Sequence, residues 1–319
     1  MKSSVFDLQV NGTTMGIHRW LPDEGPAVGI AQIVHGMAEH GGRYEWVAEQ
    51  LTGRGWVVIA DDHRGHGRTA SSTGTLGHFA DQNGWNQAVE DLRTVALHEM
   101  AQHQQAGSKG QLPHVVIGHS MGSLLARDYA SRYGSDLSAL ILTGSPRAAG
   151  LIGKAGRALA RNYVRVRGPR SEAKQMHKLT FGNFNAAFKP NRTDYDWLSR
   201  DTGAVDAYVA DPMCGFTSTN ALYVDLIGGL ERVNNPKLVS TMPRKLPIWI
   251  GSGALDPAGG HRTVKALVKL FKSAGLKDVT AVTWADARHE VFNETNRDEV
   301  VEAMLRWLDT RVDTPADRS

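Results

Sequence analysis

The sequence predicts an α/β protein in which a mostly parallel central sheet carries helices on both faces. Short apolar runs alternate with segments whose apolar residues recur at helical spacing. This alternation stops after Ser145-Pro146 and resumes near Thr241, which indicates an insertion. Because strands that alternate with helices form parallel sheets covered on both faces, we expect residues 1–146 and 241–319 to form the main domain. Residues 147–240 are then an inserted helical cap.

The first predicted element is an antiparallel hairpin. Residues Phe6 to Val10 and Met15 to Trp20 have the composition of strands, and they flank Asn11-Gly12, a pair that suits a type I′ turn. Six later apolar runs have the length of buried strands. They are Ile30–Val34, Trp56–Ala60, Val115–Ile117, Leu137–Thr143, Leu246–Ile250 and Val279–Trp284.

Helices are predicted where apolar residues recur every three or four positions. The first carries apolar residues from Tyr44 to Leu51 and stops at Gly53. The last begins near Thr295-Asn296, because Asp298 and Glu299 in a first turn favour a helix N-terminus. The remaining three cover residues 89–100, 125–133 and 264–271.

The composition is that of a globular protein, with 41% hydrophobic and 22% charged residues. The single cysteine, Cys214, excludes an intrachain disulfide and a cysteine-rich metal site. The N-terminal residues lack the apolar stretch of a secretory signal, and no apolar run has the length of a transmembrane helix. We therefore expect a cytoplasmic protein.

Ser120 stands at the centre of the motif Gly118-His119-Ser120-Met121-Gly122, between a predicted strand and a predicted helix. In such a tight turn, the glycines let the two chain segments pass closely and the serine hydroxyl stands clear of the backbone. The N–H groups at the start of the helix can face a developing oxyanion. This context indicates a nucleophilic serine, although the motif alone also suits an ordinary glycine-rich turn.

A nucleophilic serine needs a base that removes its proton. Reactive groups in parallel sheets gather at the carboxyl ends of the strands. Three histidines follow Ser120 in the chain, namely His177, His261 and His289. His289 lies just beyond the strand that ends at Trp284, so we predict that it is the base.

The acid that orients this base is predicted to be Asp256, which follows the strand ending at Ile250. Asp286 competes with it. Asp286 lies so close to His289 in the sequence that a role in the turn of its own loop is favoured. The order Ser120, Asp256, His289 matches the order of the triad in α/β-hydrolases.

The oxyanion of an acyl-transfer intermediate needs two preorganised N–H donors. The first is predicted to be the amide of Met121, the residue after the nucleophile. The second is predicted to be the amide of Met37, which follows His35-Gly36 at the end of the first central strand. Gly36 permits the close approach of this loop.

Four motifs together resemble those of the monoacylglycerol lipase and lysophospholipase branch of the α/β-hydrolases, which is also grouped with serine aminopeptidase-like hydrolases. They are His35-Gly36-Met37-Ala38-Glu39-His40, Asp62-His63-Arg64-Gly65-His66-Gly67, Gly118-His119-Ser120-Met121-Gly122 and Gly251-Ser252-Gly253 with Asp256. The resemblance covers residues 5–146 and 241–310. It implies the α/β-hydrolase fold and serine ester hydrolysis, with Ser120, Asp256 and His289 in the triad positions.

The histidines of the second motif could suggest a metal site. However, His63, His66 and His78 do not have the spacing of zinc ligands, and no thiolate accompanies them. A loop braced by hydrogen bonds is favoured, and we expect neither a metal nor a cofactor.

The first half of the predicted cap is strongly basic, since residues 147–192 contain eleven Lys and Arg and one acidic residue, Glu172. Cations at helical spacing lie opposite an apolar face, as in a basic amphipathic helix. The cations are Lys154, Arg157, Arg161 and Arg165, and the apolar face holds Ile152, Ala155, Leu159, Tyr163 and Val166. The helix either packs this face on the sheet or contacts an anionic membrane at its periphery. Nucleic-acid binding is not expected, because no base-stacking module accompanies the charge.

The second half of the cap is rich in bulky apolar residues. They either line an acyl tunnel above Ser120 or form the core of the cap itself. The candidate substrate-binding residues are Phe181, Phe184, Met213 and Phe216. Cys214 in this region is expected to be a packed small residue.

The predicted function is a serine hydrolase that cleaves carboxylic esters of lipids, monoacylglycerols or lysophospholipids, through an acyl-enzyme on Ser120. A general carboxylesterase or thioesterase of broad specificity is the alternative, because the same triad serves any acyl transfer. A non-catalytic binding protein with the same fold is the alternative of another class. The presence of all three reactive groups argues against it.

Overall fold

The computed structural model of the protein describes residues 1–105, 112–146 and 150–313. Its centre is an eight-stranded sheet with the strand order β1-β2-β4-β3-β5-β6-β7-β8. The strands are β1 (Lys2–Val10), β2 (Thr13–Leu21), β3 (Gly29–Val34), β4 (Trp56–Asp61), β5 (His114–His119), β6 (Ala139–Thr143), β7 (Ile248–Gly253) and β8 (Val279–Trp284). β1 pairs antiparallel with β2, β2 pairs antiparallel with β4, and all later pairs are parallel.

Eleven α-helices lie within the described residues. They are α1 (Glu45–Thr52), α2 (Thr69–Thr73), α3 (Gly84–Gln105), α4 (Met121–Tyr133), α5 (Gly150–Arg167), α6 (Lys174–Phe181), α7 (Thr202–Ala210), α8 (Asn220–Val233), α9 (Pro236–Val239), α10 (Gly260–Ser273) and α11 (Arg297–Asp309). The predicted hairpin, strands and helices all occur. The short helix α2 was not predicted, because its residues lack apolar periodicity.

The N-terminal hairpin turns at Asn11 and Gly12, whose φ angles are 46° and 78°. Two successive positive φ angles are what a type I′ turn requires, and Asn and Gly adopt them at little cost. The turn sets the register in which Val10 pairs with Thr13. The predicted hairpin is confirmed.

Helices cover both faces of the sheet. Because side chains alternate along a strand, Val115 and Ile117 contact one hydrophobic cluster and Val116 contacts the other. The first cluster includes α1 and α11, and the second includes α3, α4 and α10. The predicted fold class, a mostly parallel sheet between two helical layers, is confirmed.

Helices α5 to α9 lie in the chain between β6 and β7, where the insertion was predicted. Residues 147–149 of the basic segment lie outside the described residues. Helix α5 packs on α8 through small residues: Gly153 and Ala160 are buried, and a Cβ on Gly156 would lie 3.7 Å from Ile227 Cδ1.

Of the two alternatives for the apolar face of α5, packing on the sheet does not occur. Ile152 and Val166, at the two ends of that face, are 83% and 71% exposed, while Leu159 and Tyr163 between them pack against the cluster of Ala160, Ala173, Met176 and Tyr223. The small residues beside them let α5 and α8 approach closely.

Candidate active site

Ser120 occupies the sharp turn between β5 and α4 and has φ 52° and ψ −119°. A non-glycine residue in this left-handed region is strained, so the surrounding structure must hold it there. The backbone N–H of Ser120 donates to the carbonyl of Thr143 on β6 at 3.0 Å, and the Ser120 carbonyl accepts from Ser123 Oγ at 2.6 Å. Both hydrogen bonds fix the turn.

The glycines on either side of Ser120 are required by close packing. A Cβ on Gly122 would lie 2.0 Å from the carbonyl oxygen of Val34, and one on Gly118 would lie 2.8 Å from Ala126 Cβ. Helix α4 can therefore start directly above β3 and β5 only with glycine at these two positions. Packing therefore requires the two glycines of the motif, and the tight turn that they allow places Ser120 above the sheet.

His289 and Asp256 meet at the carboxyl ends of β8 and β7. Nδ1 of His289 lies 2.9 Å from Oδ1 of Asp256, and the residues are 3% and 5% exposed. Since a carboxylate accepts, Nδ1 carries the proton and Nε2 is left as the basic nitrogen. Asp286, the competitor for this role, is exposed.

The electrostatics keep His289 more basic than an ordinary histidine. Burial lowers the pKa of His289, but the charge of Asp256 and its hydrogen bond raise it, and together they place it above the usual value. Glu290 and Glu39 contribute to the same rise. The ring thus binds a proton more readily than a solvated imidazole.

A second imidazole, that of His119, lies beside the first, with ring centroids 4.9 Å apart. Burial, together with the neighbouring His289, lowers the pKa of His119 to about 4, so this ring stays neutral near neutral pH. Its Nδ1 is 3.0 Å from Thr143 Oγ1. Because His119 is neutral, it places no positive charge beside a protonated His289.

Ser120 and His289 line the same cavity. Within the described residues, the Ser120 hydroxyl forms no hydrogen bond with His289. Hydrogen bonds between a nucleophile and its base are often long in free enzymes and shorten when substrate binds. The three predicted side chains are therefore gathered at one edge of the sheet, with the Asp256–His289 contact already formed.

The predicted oxyanion loop passes directly beside Ser120. A Cβ on Gly36 would lie 3.2 Å from Ser120 Cβ, and Met37 lines the cavity. Met121 is the first residue of α4 and is buried. Neither the Met37 nor the Met121 N–H donates a hydrogen bond within the described part of the chain, so both amides are available to a ligand oxygen.

An ion-pair network that the sequence patterns did not indicate lies behind this loop. Arg43 contacts Glu39 Oε2 at 2.6 Å through Nη1. It also forms two 2.7 Å hydrogen bonds with Glu290, the residue after His289. The i,i+4 spacing of Glu39 and Arg43 was a signal for the first contact. Glu290 is 247 positions away from Arg43, so only the fold reveals the second.

The cavity has a volume of about 510 Å³ and combines apolar and polar walls. Its apolar lining includes Met37, Phe181, Trp197, Leu198 and Phe216, and its polar lining includes Lys178, Asn183, Asn185, Lys189 and Asn191. Two of the four candidate substrate-binding residues, Phe181 and Phe216, thus face it.

The other two candidates lie outside the cavity lining. Phe184 packs edge-on against Trp197 at 4.9 Å within the aromatic cluster of the cap, and the Met213 backbone N–H donates to Asp211. The aromatic residues of the cap therefore serve both as its core and as a wall of the cavity. Cys214 is buried, and burial raises the pKa of its thiol, as expected for a packed residue.

The histidine-rich loop is braced by hydrogen bonds. His63 contacts Asp61 at 2.7 Å through Nδ1 and the His35 carbonyl at 3.1 Å through Nε2, and its ring stacks on His35 at 3.8 Å. Potential metal-ligand atoms do come together elsewhere in the described chain, in the groups His18, His40, Asp62 and His40, Asp211, Cys214. His18 and His40 already contact the carboxylates of these groups.

None of the described helices is both long and apolar enough to cross a lipid bilayer.

Comparisons with known proteins identify the family of this chain. A model of the family described as serine aminopeptidase, S33, matches residues 25–296. The chain is 30% identical over 299 residues to the monoacylglycerol lipase of Mycolicibacterium smegmatis, with 94% of each protein covered. It is 23% identical over 290 residues to a phospholipase of Bacillus subtilis, with 88% of this chain and 95% of that protein covered.

The fold is also that of solved ester hydrolases. A thermostable carboxyl esterase from Bacillus coagulans, solved in complex with glycerol, superposes with a TM-score of 0.87. The two sequences are 28% identical, and the match covers 98% of this chain and 99% of that one.

Replacing the predicted acid tests the electrostatics of this site. In Asp256→Asn the imidazole of His289 stays buried but loses its carboxylate, so its pKa should fall below the ordinary value of a histidine. The titration of the His289 ring, followed by NMR and assigned with His289→Ala, measures this. Asp286→Asn is the matched control and should leave the titration unchanged. An equal fall in both variants would contradict the assignment of Asp256.

Proposed function

The chain belongs to the family described as serine aminopeptidase, S33, and is an ester hydrolase of the α/β-hydrolase fold; we propose that it cleaves monoacylglycerols through an acyl-enzyme on Ser120. One observation carries the proposal. His289, which is hydrogen-bonded to Asp256, and Ser120, which is held in a strained turn, line the same cavity, and this cavity has an aromatic wall.

Acylation uses groups that the fold already holds in place. His289 Nε2 takes the proton of the Ser120 hydroxyl, and Oγ attacks the ester carbonyl carbon. The amides of Met37 and Met121 donate to the resulting oxyanion. When the tetrahedral intermediate collapses, the bond to the alcohol breaks and His289 gives its proton to the leaving oxygen.

Deacylation repeats these steps with water. His289 takes a proton from water, and the hydroxide attacks the acyl carbonyl. The second tetrahedral intermediate then collapses, the bond between the acyl carbon and Ser120 Oγ breaks to release the fatty acid, and His289 returns the proton to Ser120 Oγ. Asp256 keeps the ring in the required tautomer and stabilises the imidazolium, whose pKa is already raised in the free protein.

The cavity suits an amphiphilic ester with one acyl chain. Phe181, Trp197 and Phe216 offer an aromatic wall for the chain, and Asn183 offers an amide group for a hydroxyl of the alcohol. The relatives named monoacylglycerol lipase and carboxyl esterase support this class of substrate. We propose that residues 147–240 act as the cap that supplies this wall.

Labelling with a fluorophosphonate probe tests the chemistry. Wild-type protein should react covalently and hydrolyse monoacylglycerol, and Ser120→Ala should do neither, because the attacking oxygen is gone. The probe adduct, located by mass spectrometry of peptides, identifies the residue. Ser273→Ala, an exposed serine on α10, is the control and should keep both activities. An unlabelled wild type would point to a binding protein.

A lysophospholipid is the second candidate substrate, and one observation favours it. Lys178 and Lys189 line the cavity, and neither has a carboxylate within 4.0 Å among the residues that the structure describes. The acidic residues of the same lining are Glu39, Asp194 and Glu290, and Glu39 and Glu290 pair with Arg43. Two cations in the cavity lining would attract a phosphate-bearing head group.

The two candidates separate in variants of these lysines. If phosphate is recognised, Lys178→Gln with Lys189→Gln should lower kcat/KM for an anionic lysophospholipid about tenfold and leave that for monoacylglycerol unchanged. Lys174→Gln is the control, because Lys174 lies on the same helix but pairs with Glu172 and is not part of the cavity lining. Equal losses for both substrates would reject head-group recognition.

We also propose that the basic part of the cap, residues 147–192, contacts anionic membranes at their surface. Ile152 and Val166 on α5 and Leu179 on α6 are 83%, 71% and 69% exposed. Lys154 and Arg161 lie on the opposite face of α5, without a carboxylate partner in the described residues. A helix with exposed apolar side chains on one face and cations on the other is typical of a helix that lies in a lipid interface.

Vesicle binding tests this contact. Binding should rise with the fraction of anionic lipid and fall in high salt, because each basic group near the surface contributes about 1 kcal/mol that salt screens. Ile152→Ser with Val166→Ser should weaken binding. Leu97→Ser, an exposed leucine on α3 (48% exposed), is the control. Equal binding to neutral vesicles would contradict the proposal.

A further inference from the structure

We propose that Arg43 is a positioning residue that holds the oxyanion loop and the loop of the catalytic base in one fixed arrangement. The inference rests on the proposed function, since it assigns Arg43 to the same acyl-transfer site. Arg43 does not line the cavity and does not touch the reacting atoms. It acts through Glu39 and Glu290.

The contact on the oxyanion side runs through Glu39. Its Oε1 accepts from the backbone N–H of Gly36 at 2.5 Å and from the Tyr44 hydroxyl at 2.9 Å. Its Oε2 contacts Arg43. Gly36 immediately precedes Met37, so the position of Glu39 determines where the Met37 N–H points.

The contact on the base side runs through Glu290. Arg43 meets both of its oxygens, and Asn293 Nδ2 donates to Oε2 at 2.9 Å. Glu290 follows His289 directly, and its backbone N–H donates to the carbonyl of Leu198 in the cap at 2.8 Å. A shift of Glu290 therefore moves the imidazole.

Charge makes the guanidinium necessary. The side chains of Glu39 and Glu290 are 4% and 6% exposed, so two buried carboxylates would repel one another without a cation between them. Burial opposes the ionisation of Glu290, but the charge and hydrogen bonds of Arg43 lower its pKa well below the usual value. A planar guanidinium can donate to both carboxylates at once through its fork of N–H groups. A lysine ammonium is a compact charge without this fixed fork of donors.

The cap contributes to the same arrangement. The Arg43 guanidinium lies 4.8 Å from the ring centroid of Tyr208 on α7, and the Tyr208 hydroxyl donates to the carbonyl of Ala38 at 2.9 Å. The N–H of Gly215 donates to the same carbonyl at 3.0 Å. Arg43 thus lies where the oxyanion loop, the base loop and the cap meet.

The experiment compares wild type, Arg43→Lys and Arg64→Lys. Arg64 is the matched control, because it forms a similarly buried two-pronged ion pair with Asp91 and is not part of the cavity lining. In Arg43→Lys we expect the rate constant for fluorophosphonate labelling and kcat to fall about 100-fold, as for a misplaced oxyanion donor. KM should change much less. Arg64→Lys should keep wild-type kinetics.

A second variant separates positioning from loss of folding. Glu290→Gln keeps the shape of the side chain and leaves the Arg43–Glu39 pair intact, but it removes one negative charge near His289. The groups that face His289 are Asp256, Glu39, Glu290 and the neutral His119. The acidic limb of the pH profile should therefore move to lower pH, which a merely structural role would not cause.

Hydrogen exchange gives a readout that does not depend on activity. In Arg43→Lys, the segments 35–44 and 286–294 should both exchange faster, while in Arg64→Lys neither should. A folded Arg43→Lys with wild-type labelling and unchanged exchange would overturn the inference. A wild type that the probe does not label would instead overturn the proposed function. In that case, faster exchange of both segments in Arg43→Lys would still support the positioning role of Arg43, and unchanged exchange would contradict it.

Discussion

The hydrogen bond between Asp256 Oδ1 and His289 Nδ1 is the interaction on which the proposed chemistry of this site depends. It fixes the tautomer, so that the basic nitrogen is Nε2, and it offsets the burial that would otherwise make the ring a weak base. Both residues stand on loops that follow neighbouring parallel strands, β7 and β8. The parallel sheet thus supplies the proximity, and the buried pair supplies the basicity.

Ser120 and the loop of Gly36 and Met37, the proposed nucleophile and oxyanion loop, also require close backbone packing. Gly122 lets α4 start against the carbonyl of Val34, and Gly36 lets its loop pass beside Ser120 Cβ. These contacts tolerate no side chain, which is why small residues recur where the most precise geometry is needed. Buried ion pairs, such as that of Arg43 with Glu290, then hold the loops that close packing alone does not fix.

Much of the fold could be predicted because local signals and tertiary structure agree. Asn11-Gly12 has a strong preference for one turn, and the apolar runs of the strands have a length and composition typical of buried strands. The insertion was harder to predict. The apolar face of α5 was expected either to pack on the sheet or to contact a membrane, and the structure packs only its middle, Leu159 and Tyr163, within the insertion and leaves Ile152 exposed. Periodicity identifies such a helix but does not show which of its residues are covered by other parts of the chain.

The sequence by itself determined the mostly parallel sheet between helical layers, the turn that carries Ser120, and the chain order in which Asp256 and His289 follow, because each is encoded in short segments. Only the tertiary structure decided which candidate acid meets the imidazole, which aromatic residues of the cap face the cavity, and that Arg43 pairs with Glu290. These are contacts between segments up to 247 positions apart. No local pattern specifies them, because they form only when folding brings the strands side by side and the loops at their ends into contact.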